Sequence, residues 1–72
     1  MRQTARDKVI AFLEDDRRIN ADGPGYLGVT NGVIEVETKV NGNTVRKVLG
    51  SLVTLGTVRV ARTGTTACYR LA

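Results

Sequence analysis

The chain contains no histidine and only one cysteine, Cys68, among its 72 residues. Histidine is the commonest general base and metal ligand, and one thiol can form neither an internal disulfide nor a structural zinc site. No run approaches the roughly 20 apolar residues of a membrane span, and the polar N-terminus lacks a signal-peptide core. These absences predict a non-enzymatic domain without cofactor or metal, soluble and cytoplasmic rather than bound to a membrane.

Acidic residues are missing from the second half of the chain. Residues 1–37 carry five basic and all seven acidic side chains, a net charge of −2, whereas residues 38–72 carry six basic side chains and no acid. Such a surface attracts polyanions, because neutralising phosphates releases bound counterions. A gain in solubility is the other explanation of the charge. Only three aromatic residues are present, too few to stack single-stranded bases, so duplex DNA is the favoured polyanion.

The composition, 42% apolar and 25% charged, is that of a globular protein, and the length allows one domain over residues 1–72. Helical spacing of apolar residues predicts a first helix over 4–18, with Thr4 as its N-cap. The acidic run 14–16 is expected to lie on the solvated face of this helix. A turn-rich connection follows over 20–28. A short strand is then predicted at Tyr26, Leu27 and Val29.

Residues 33–40 fit two interpretations. Apolar and polar residues alternate there, which favours a strand, and Asn41-Gly42 would then form a hairpin turn. Thr30 is also a good N-cap, and the apolar spacing suits two turns of a helix. Local propensity favours the strand, and the segment that follows decides between the two.

Residues 44–55 carry one apolar stripe at helical spacing, formed by Val45, Val48, Leu49, Leu52 and Val53. Asn41 or Asn43 can cap the start of this helix, and Gly56 suits the left-handed residue that follows its end. As a strand, the segment would place Leu49 and Leu52 on opposite faces. A helix is therefore predicted here.

Residues 57–71 are predicted to form a β-hairpin. Before a tip at residues 62–66, Val58 and Val60 alternate with Arg59, and after it Ala67, Tyr69 and Leu71 alternate with Cys68 and Arg70. Gly64 supplies the positive φ that a short connection needs.

Several residues keep a consistent register across these segments, with fifteen positions separating Thr30 from Val45. They are Val29, Thr30, Ile34, Val40, Asn41, residues 44–49, Leu52, residues 56–58 and residues 62–65. The pattern resembles the winged helix-turn-helix of small prokaryotic and phage transcriptional regulators. Two positions depart from that family: Glu35 stands in place of a small residue, and Lys39 in place of the glycine that opens the turn.

The resemblance implies an α+β fold with three helices and a C-terminal β-hairpin wing. The second helix would lie at about 31–38, the third at about 43–55 and the wing at about 57–71. It also implies sequence-specific binding of double-stranded DNA, with the third helix in a major groove and the wing over the adjacent minor groove or backbone.

The candidate contact residues lie opposite the apolar stripe of the third helix and in the wing. Asparagine pairs with adenine and arginine or lysine with guanine in the major groove, while hydroxyls and helix N-terminal amides bind phosphates. Gly50 is either a tolerated surface glycine or a point of close approach by DNA, and Arg59 either contacts DNA or is simply solvated. The predicted DNA-binding residues are Asn41, Asn43, Thr44, Arg46, Lys47, Gly50, Ser51, Arg59, Arg62, Thr63 and Thr65.

Double-stranded DNA is the expected partner, and no small-molecule effector is indicated. A homodimer through the first helix and the N-terminal arm would allow two half-sites to be read together. The alternative function is a protein-interaction module, in which a phage or plasmid protein docks on a host protein through the same scaffold without binding DNA.

Overall fold

Three helices and a three-stranded sheet make up the part of the chain that the structure, a computed structural model, describes: residues 4–20, 23 and 25–72. Their order is α1 (Ala5–Asn20), β1 (Val29–Thr30), α2 (Asn31–Thr38), α3 (Gly42–Thr54), β2 (Val58–Thr63) and β3 (Thr66–Leu71). The strands are antiparallel and lie in the order β1-β3-β2. The predicted α+β class is confirmed, and the arrangement is compatible with a winged helix.

The helices and the sheet share one apolar core in the described residues. Its buried members are Val9, Leu13, Ile34, Val45, Leu49, Leu52 and Val58. α3 contributes three of them, because its apolar residues recur on one side of the helix. Val48 and Val53, which were also predicted to face the core, are only partly buried at its edge. Burying each such aliphatic side chain stabilises the fold by about 1.5–3 kcal/mol, and α3 is therefore the element most firmly anchored.

α1 begins where the sequence predicts and ends two residues later than predicted. The Thr4 hydroxyl accepts a hydrogen bond from the Asp7 backbone N–H (3.1 Å), and the Asp7 carboxylate accepts one from the Thr4 N–H (3.3 Å). This reciprocal pair satisfies two amides that the first helical turn would leave unpaired.

The strand interpretation of residues 33–40 is wrong, because α2 is a helix of eight residues. The Thr30 hydroxyl caps it by accepting a hydrogen bond from the Val33 N–H (3.3 Å). A strand would have put Val36 on the same face as Ile34, yet Ile34 is fully buried and Val36 is 72% exposed. Packing of Ile34 into the core therefore overrides the local β-propensity.

The two positions that depart from the winged-helix pattern lie on α2 and at its C-terminal end. Lys39 follows α2 with left-handed backbone angles (φ 58°, ψ 28°), the conformation that favours glycine. A Cβ on Gly42 would come within 2.7 Å of the Glu35 carboxylate, which is the far end of an exposed, flexible side chain and can move aside. The hairpin turn considered at Asn41-Gly42 does not form, since Asn41 caps α3.

Replacing Lys39 with glycine is expected to stabilise the fold. A non-glycine residue in the left-handed region costs about 1–2 kcal/mol, and the greater freedom of glycine in the unfolded chain offsets part of that gain. We expect the free energy of unfolding to rise by about 0.5–1 kcal/mol in urea titrations. Lys39→Ala removes the same charge but keeps the unfavourable angles, so it should give no comparable rise; equal effects of the two variants would contradict the explanation.

α3 ends in the predicted glycine cap. Gly56 has a φ of 80°; its N–H bonds to the Val53 carbonyl (3.0 Å), and the Thr57 N–H bonds to the Leu52 carbonyl (2.9 Å). The helix itself starts and ends one residue earlier than predicted. The hairpin that follows has a tighter tip than predicted, because Thr63 pairs with Thr66 and only two residues lie between the strands.

The connection before β1 differs from the prediction. Only Val29 and Thr30 are in the strand, so the expected strand residues Tyr26 and Leu27 lie outside it. Gly28 separates them from the strand with a φ of 116°.

Asp16 anchors Tyr26 to α1. It is only 8% exposed, contrary to the solvated face expected for the acidic run, and its carboxylate accepts hydrogen bonds from the Tyr26 hydroxyl and from Asn20 Nδ2 (3.0 Å). Burial, together with the hydrogen bond to Asp16, raises the pKa of Tyr26 to about 12. The hydroxyl therefore remains a hydrogen-bond donor throughout the neutral pH range.

Candidate nucleic-acid interface

α3 carries six of the eleven residues predicted to contact DNA, and five of the six are exposed. Val45, Leu49 and Leu52 anchor the opposite face in the core. The outward face follows from the 3.6-residue period: Arg46, Lys47, Gly50 and Ser51 lie between the core positions and are exposed, whereas Val48 packs partly against the core. The exposed members of the predicted set on this helix are Asn43, Arg46, Lys47, Gly50 and Ser51, and Thr44 is partly buried.

The N-terminus of α3 is already occupied by groups of the protein itself. The Asn41 side chain accepts a hydrogen bond from the Asn43 N–H (2.8 Å), which satisfies one amide of the first turn. The Glu35 carboxylate lies against Gly42 in the same turn. A phosphate at these amides would meet a like charge, so the geometry favours a capping role for Asn41 over the predicted contact with DNA.

The hairpin divides its two predicted arginines between opposite faces. Residues alternate across a strand, so Arg62 shares a face with the buried Val58, and Arg59 lies on the other face. Arg59 pairs across the strands with Arg70, whose Nη1 donates to the Tyr26 carbonyl oxygen (3.5 Å). The structure thus separates Arg59 from Arg62. Thr63 shares the face of Arg59, and Thr65 is exposed in the turn.

A groove between α3 and β2 brings residues from the helix and the hairpin together. We call it the α3–β2 groove; it has a volume of about 220 Å³ and is lined by Arg46, Gly50, Val53, Val60, Arg62 and Tyr69. Three predicted contact residues meet here: Arg46, Gly50 and Arg62. Val53, Val60 and Tyr69 were not predicted as site residues, because the sequence pattern indicates core or strand positions for them. Val60 alone could have been indicated, because its period-2 spacing from Arg62 places the two residues on the same face of the strand.

Gly50 leaves the groove open on its helical side. A Cβ built on Gly50 would meet no atom within 4 Å, so the fold does not require a glycine there. Glycine inside a helix costs about 1 kcal/mol relative to alanine. The fold therefore gives no packing reason for this residue.

The basic residues of this region are not neutralised within the described part of the chain. Across residues 4–20, 23 and 25–72 the one ion pair joins Arg18 to Asp15 on α1 (2.6 Å). Arg46, Lys47 and Arg62 thus have no carboxylate within ion-pair distance among these residues. Their positive potential is available to an external anion.

A second concavity lies at the far end of α1, with a volume of about 180 Å³. It is lined by Asp16, Arg17, Tyr26, Arg70, Leu71 and Ala72. Asp16 already holds Tyr26 there, and Arg70 donates to the Tyr26 carbonyl, so these three residues are engaged with one another. In the same described residues no three histidine, cysteine or acidic side chains come together as metal ligands, and no helix is long and apolar enough to cross a bilayer.

Comparison with known proteins finds no family model, no curated protein and no solved structure that matches this chain. The geometry and the charge of the α3–β2 groove and of the exposed face of α3 are therefore the basis for a functional proposal.

Proposed function

We propose that this protein binds double-stranded DNA with sequence specificity, as a small transcriptional regulator built on a winged helix-turn-helix. In this proposal α3 lies in a major groove, and the β2–β3 hairpin lies over the adjacent backbone or minor groove. α3 has 13 residues and is about 20 Å long, and a major groove about 12 Å wide admits such a helix.

One observation carries the proposal: an arginine of α3 and an arginine of the hairpin flank the same groove, and neither is paired with an acid among the described residues. Arg46 stands on the α3 side and Arg62 on the β2 side. Two cations held by separate rigid elements match a duplex, which presents base edges and phosphates side by side. The absence of acidic residues after Glu37 extends the positive surface beyond the groove.

Individual roles follow from chemistry and exposure. Asn43 and Lys47 are one helical turn apart and exposed, and they are assigned to base edges together with Arg46. Arg62 is assigned to the phosphate backbone, along with the hydroxyls of Ser51 and Thr65. Arg59 lies on the opposite face of the hairpin and is assigned no contact in the groove.

Selection from a random pool of duplexes tests the proposal. Protein at ~150 mM salt should retain and enrich duplexes that share a common motif, at affinities well above those for unselected DNA. The matched control is Arg6→Ala, which removes an exposed arginine from α1 and should recover the same motif. Retention without an enriched motif would contradict sequence specificity, and no retention at all would contradict DNA binding.

The predicted homodimer remains a prediction. The number of protein chains bound to each selected duplex, measured by sedimentation, decides it. Two chains on a motif with two-fold symmetry would support the dimer, and one chain on an asymmetric motif would exclude it.

The alternative function, docking on another protein, is favoured by exposed apolar residues on α2. Val33 and Val36 are 43% and 72% exposed and lie one turn apart, next to Glu35 and Glu37. An acidic face of this kind does not suit DNA. If the selection retains no DNA, a partner whose binding is lost on Val36→Asp but kept on Arg46→Ala would identify this function.

A further inference from the structure

The floor and the rim of the α3–β2 groove differ in chemistry. Among the lining residues we call the apolar Val53, Val60 and Tyr69 the floor and the exposed arginines Arg46 and Arg62 the rim. Val60 is the most accessible part of the valine floor: it is 37% exposed, whereas Val53 is only partly accessible. The groove thus offers an apolar surface directly beside two positive charges.

The dimensions of the groove limit what it can hold. About 220 Å³ is several times the roughly 30 Å³ that one water occupies, but it falls below the ~300–1,000 Å³ typical of pockets for whole small ligands. A single sugar with its phosphate is an occupant of suitable size and chemistry. Its phosphate would face an arginine, and its carbon-rich edge would face the valines.

We propose that the α3–β2 groove receives the sugar–phosphate backbone of one DNA strand and selects deoxyribose over ribose. This inference rests on the proposed function. Arg62 binds the phosphate, Arg46 keeps its base-reading role across the groove, and the C2′ edge of the sugar packs on Val60. Gly50 leaves room for the strand on the helical side, which gives its missing side chain a purpose that the fold does not supply.

The selectivity follows from hydrogen bonding. Deoxyribose presents only C–H groups at C2′, which suit a valine surface. Ribose presents a hydroxyl, and valine can neither donate to it nor accept from it, so the hydroxyl loses its water without gaining a partner. Val60 is therefore the specificity-determining residue for the sugar.

A complete RNA duplex would not test this idea, because its A-form major groove is too narrow for α3 whatever its sugars do. The probe is instead the DNA duplex with the highest measured affinity, carrying one ribonucleotide at a time at each position of each strand. At one or two neighbouring positions of one strand, a single ribonucleotide should weaken binding about tenfold, which corresponds to 1.4 kcal/mol. Elsewhere the change should stay below about twofold, or 0.4 kcal/mol.

Val60→Thr is the decisive variant, because it places a hydroxyl on the floor with little change of size. Threonine suits a strand, and position 60 is partly exposed, so the fold should be retained. The variant should bind the all-deoxy duplex and lose most of the penalty at the sensitive position. Val60→Ala, which opens space for water beside the hydroxyl, should relieve the penalty as well. Val36→Thr makes the same change on α2, outside the groove, and should keep the penalty in full.

The possible results distinguish a failure of the sugar selectivity from a failure of DNA binding itself. Wild-type protein that binds no duplex DNA would overturn the proposed function. Binding that tolerates a ribonucleotide at every position would overturn only the sugar selectivity. A penalty that persists unchanged in both Val60 variants would show that it does not arise at the valine floor, and would overturn the role of this groove.

Discussion

Replacing Gly28 with alanine is expected to lower the free energy of unfolding by about 2–4 kcal/mol. Gly28 has a φ of 116°, which residues with a side chain rarely adopt. A Cβ at this position would lie 2.4 Å from the Tyr69 carbonyl oxygen and 2.6 Å from its carbonyl carbon. These are backbone atoms of β3, the central strand, so the clash can be relieved only by disturbing the pairing of Val29 with Tyr69.

Thermal or urea unfolding measures this effect, and Gly50→Ala is the matched control. Position 50 has open space, and its substitution should stabilise the helix by about 1 kcal/mol. In a domain of this size 1 kcal/mol corresponds to about 4–8 °C in Tm, so the two variants should melt far apart. A loss below about 1 kcal/mol for Gly28→Ala would contradict the close approach of the two backbones.

Removing Arg46 and removing Arg62 are expected to weaken DNA binding in different ways. Arg46→Ala should relax the preference at one base pair, because the bidentate contact with guanine discriminates by about 1–3 kcal/mol. Arg62→Ala should weaken binding to all sequences alike and make the logarithmic salt slope shallower by about 0.9, the value of one phosphate contact. Competition titrations of both variants against duplexes with single base-pair changes separate the two effects.

The salt slope of the wild-type protein is the reference against which the slopes of the two variants are compared. Each phosphate neutralised by an arginine or lysine contributes about −0.9 to the slope, so the contact of Arg62 alone should lower the affinity about 3.5-fold between 50 and 200 mM salt, and each further contact of this kind by the same factor. Arg6→Ala, on α1, should leave both the slope and the base preference unchanged. Affinity that is flat over this range, or equal and small losses in both groove variants, would count against the assignment.

Gly28 and Gly50 show a structural requirement that the sequence alone could not predict. Gly28 falls in a turn-rich connection and Gly50 inside a predicted helix, but neither pattern shows which of the two glycines the fold requires. One is required because β3 passes within touching distance of its α-carbon, and the other faces open space. Their difference depends on contacts between residues far apart in the sequence, which a single sequence does not reveal.

α2 is the clearest case of tertiary structure deciding against local preference. Its alternating apolar residues favour a strand, but a strand could not bury Ile34 while exposing Val36 in the way the core and the solvent require. Asp16 is a similar case. Its place in an acidic run predicts exposure to solvent, yet it is buried and accepts hydrogen bonds from Tyr26 and Asn20. The burial of Ile34 depends on core residues of other elements, and that of Asp16 depends partly on Tyr26, which lies in the connection after α1.

The sequence by itself determined the elements whose cause is local: the amphipathic stripe of α3, its glycine cap at Gly56, the capping of α1 by Thr4 and the hairpin closed at Gly64. Periodicity and backbone freedom act within a few residues, so they can be read directly from the chain. Only the tertiary structure decided that Arg46 and Arg62 would face one groove over Val60, and that Arg59 would not. That outcome depends on how α3 packs against β2, and this packing joins residues whose proximity no local pattern encodes.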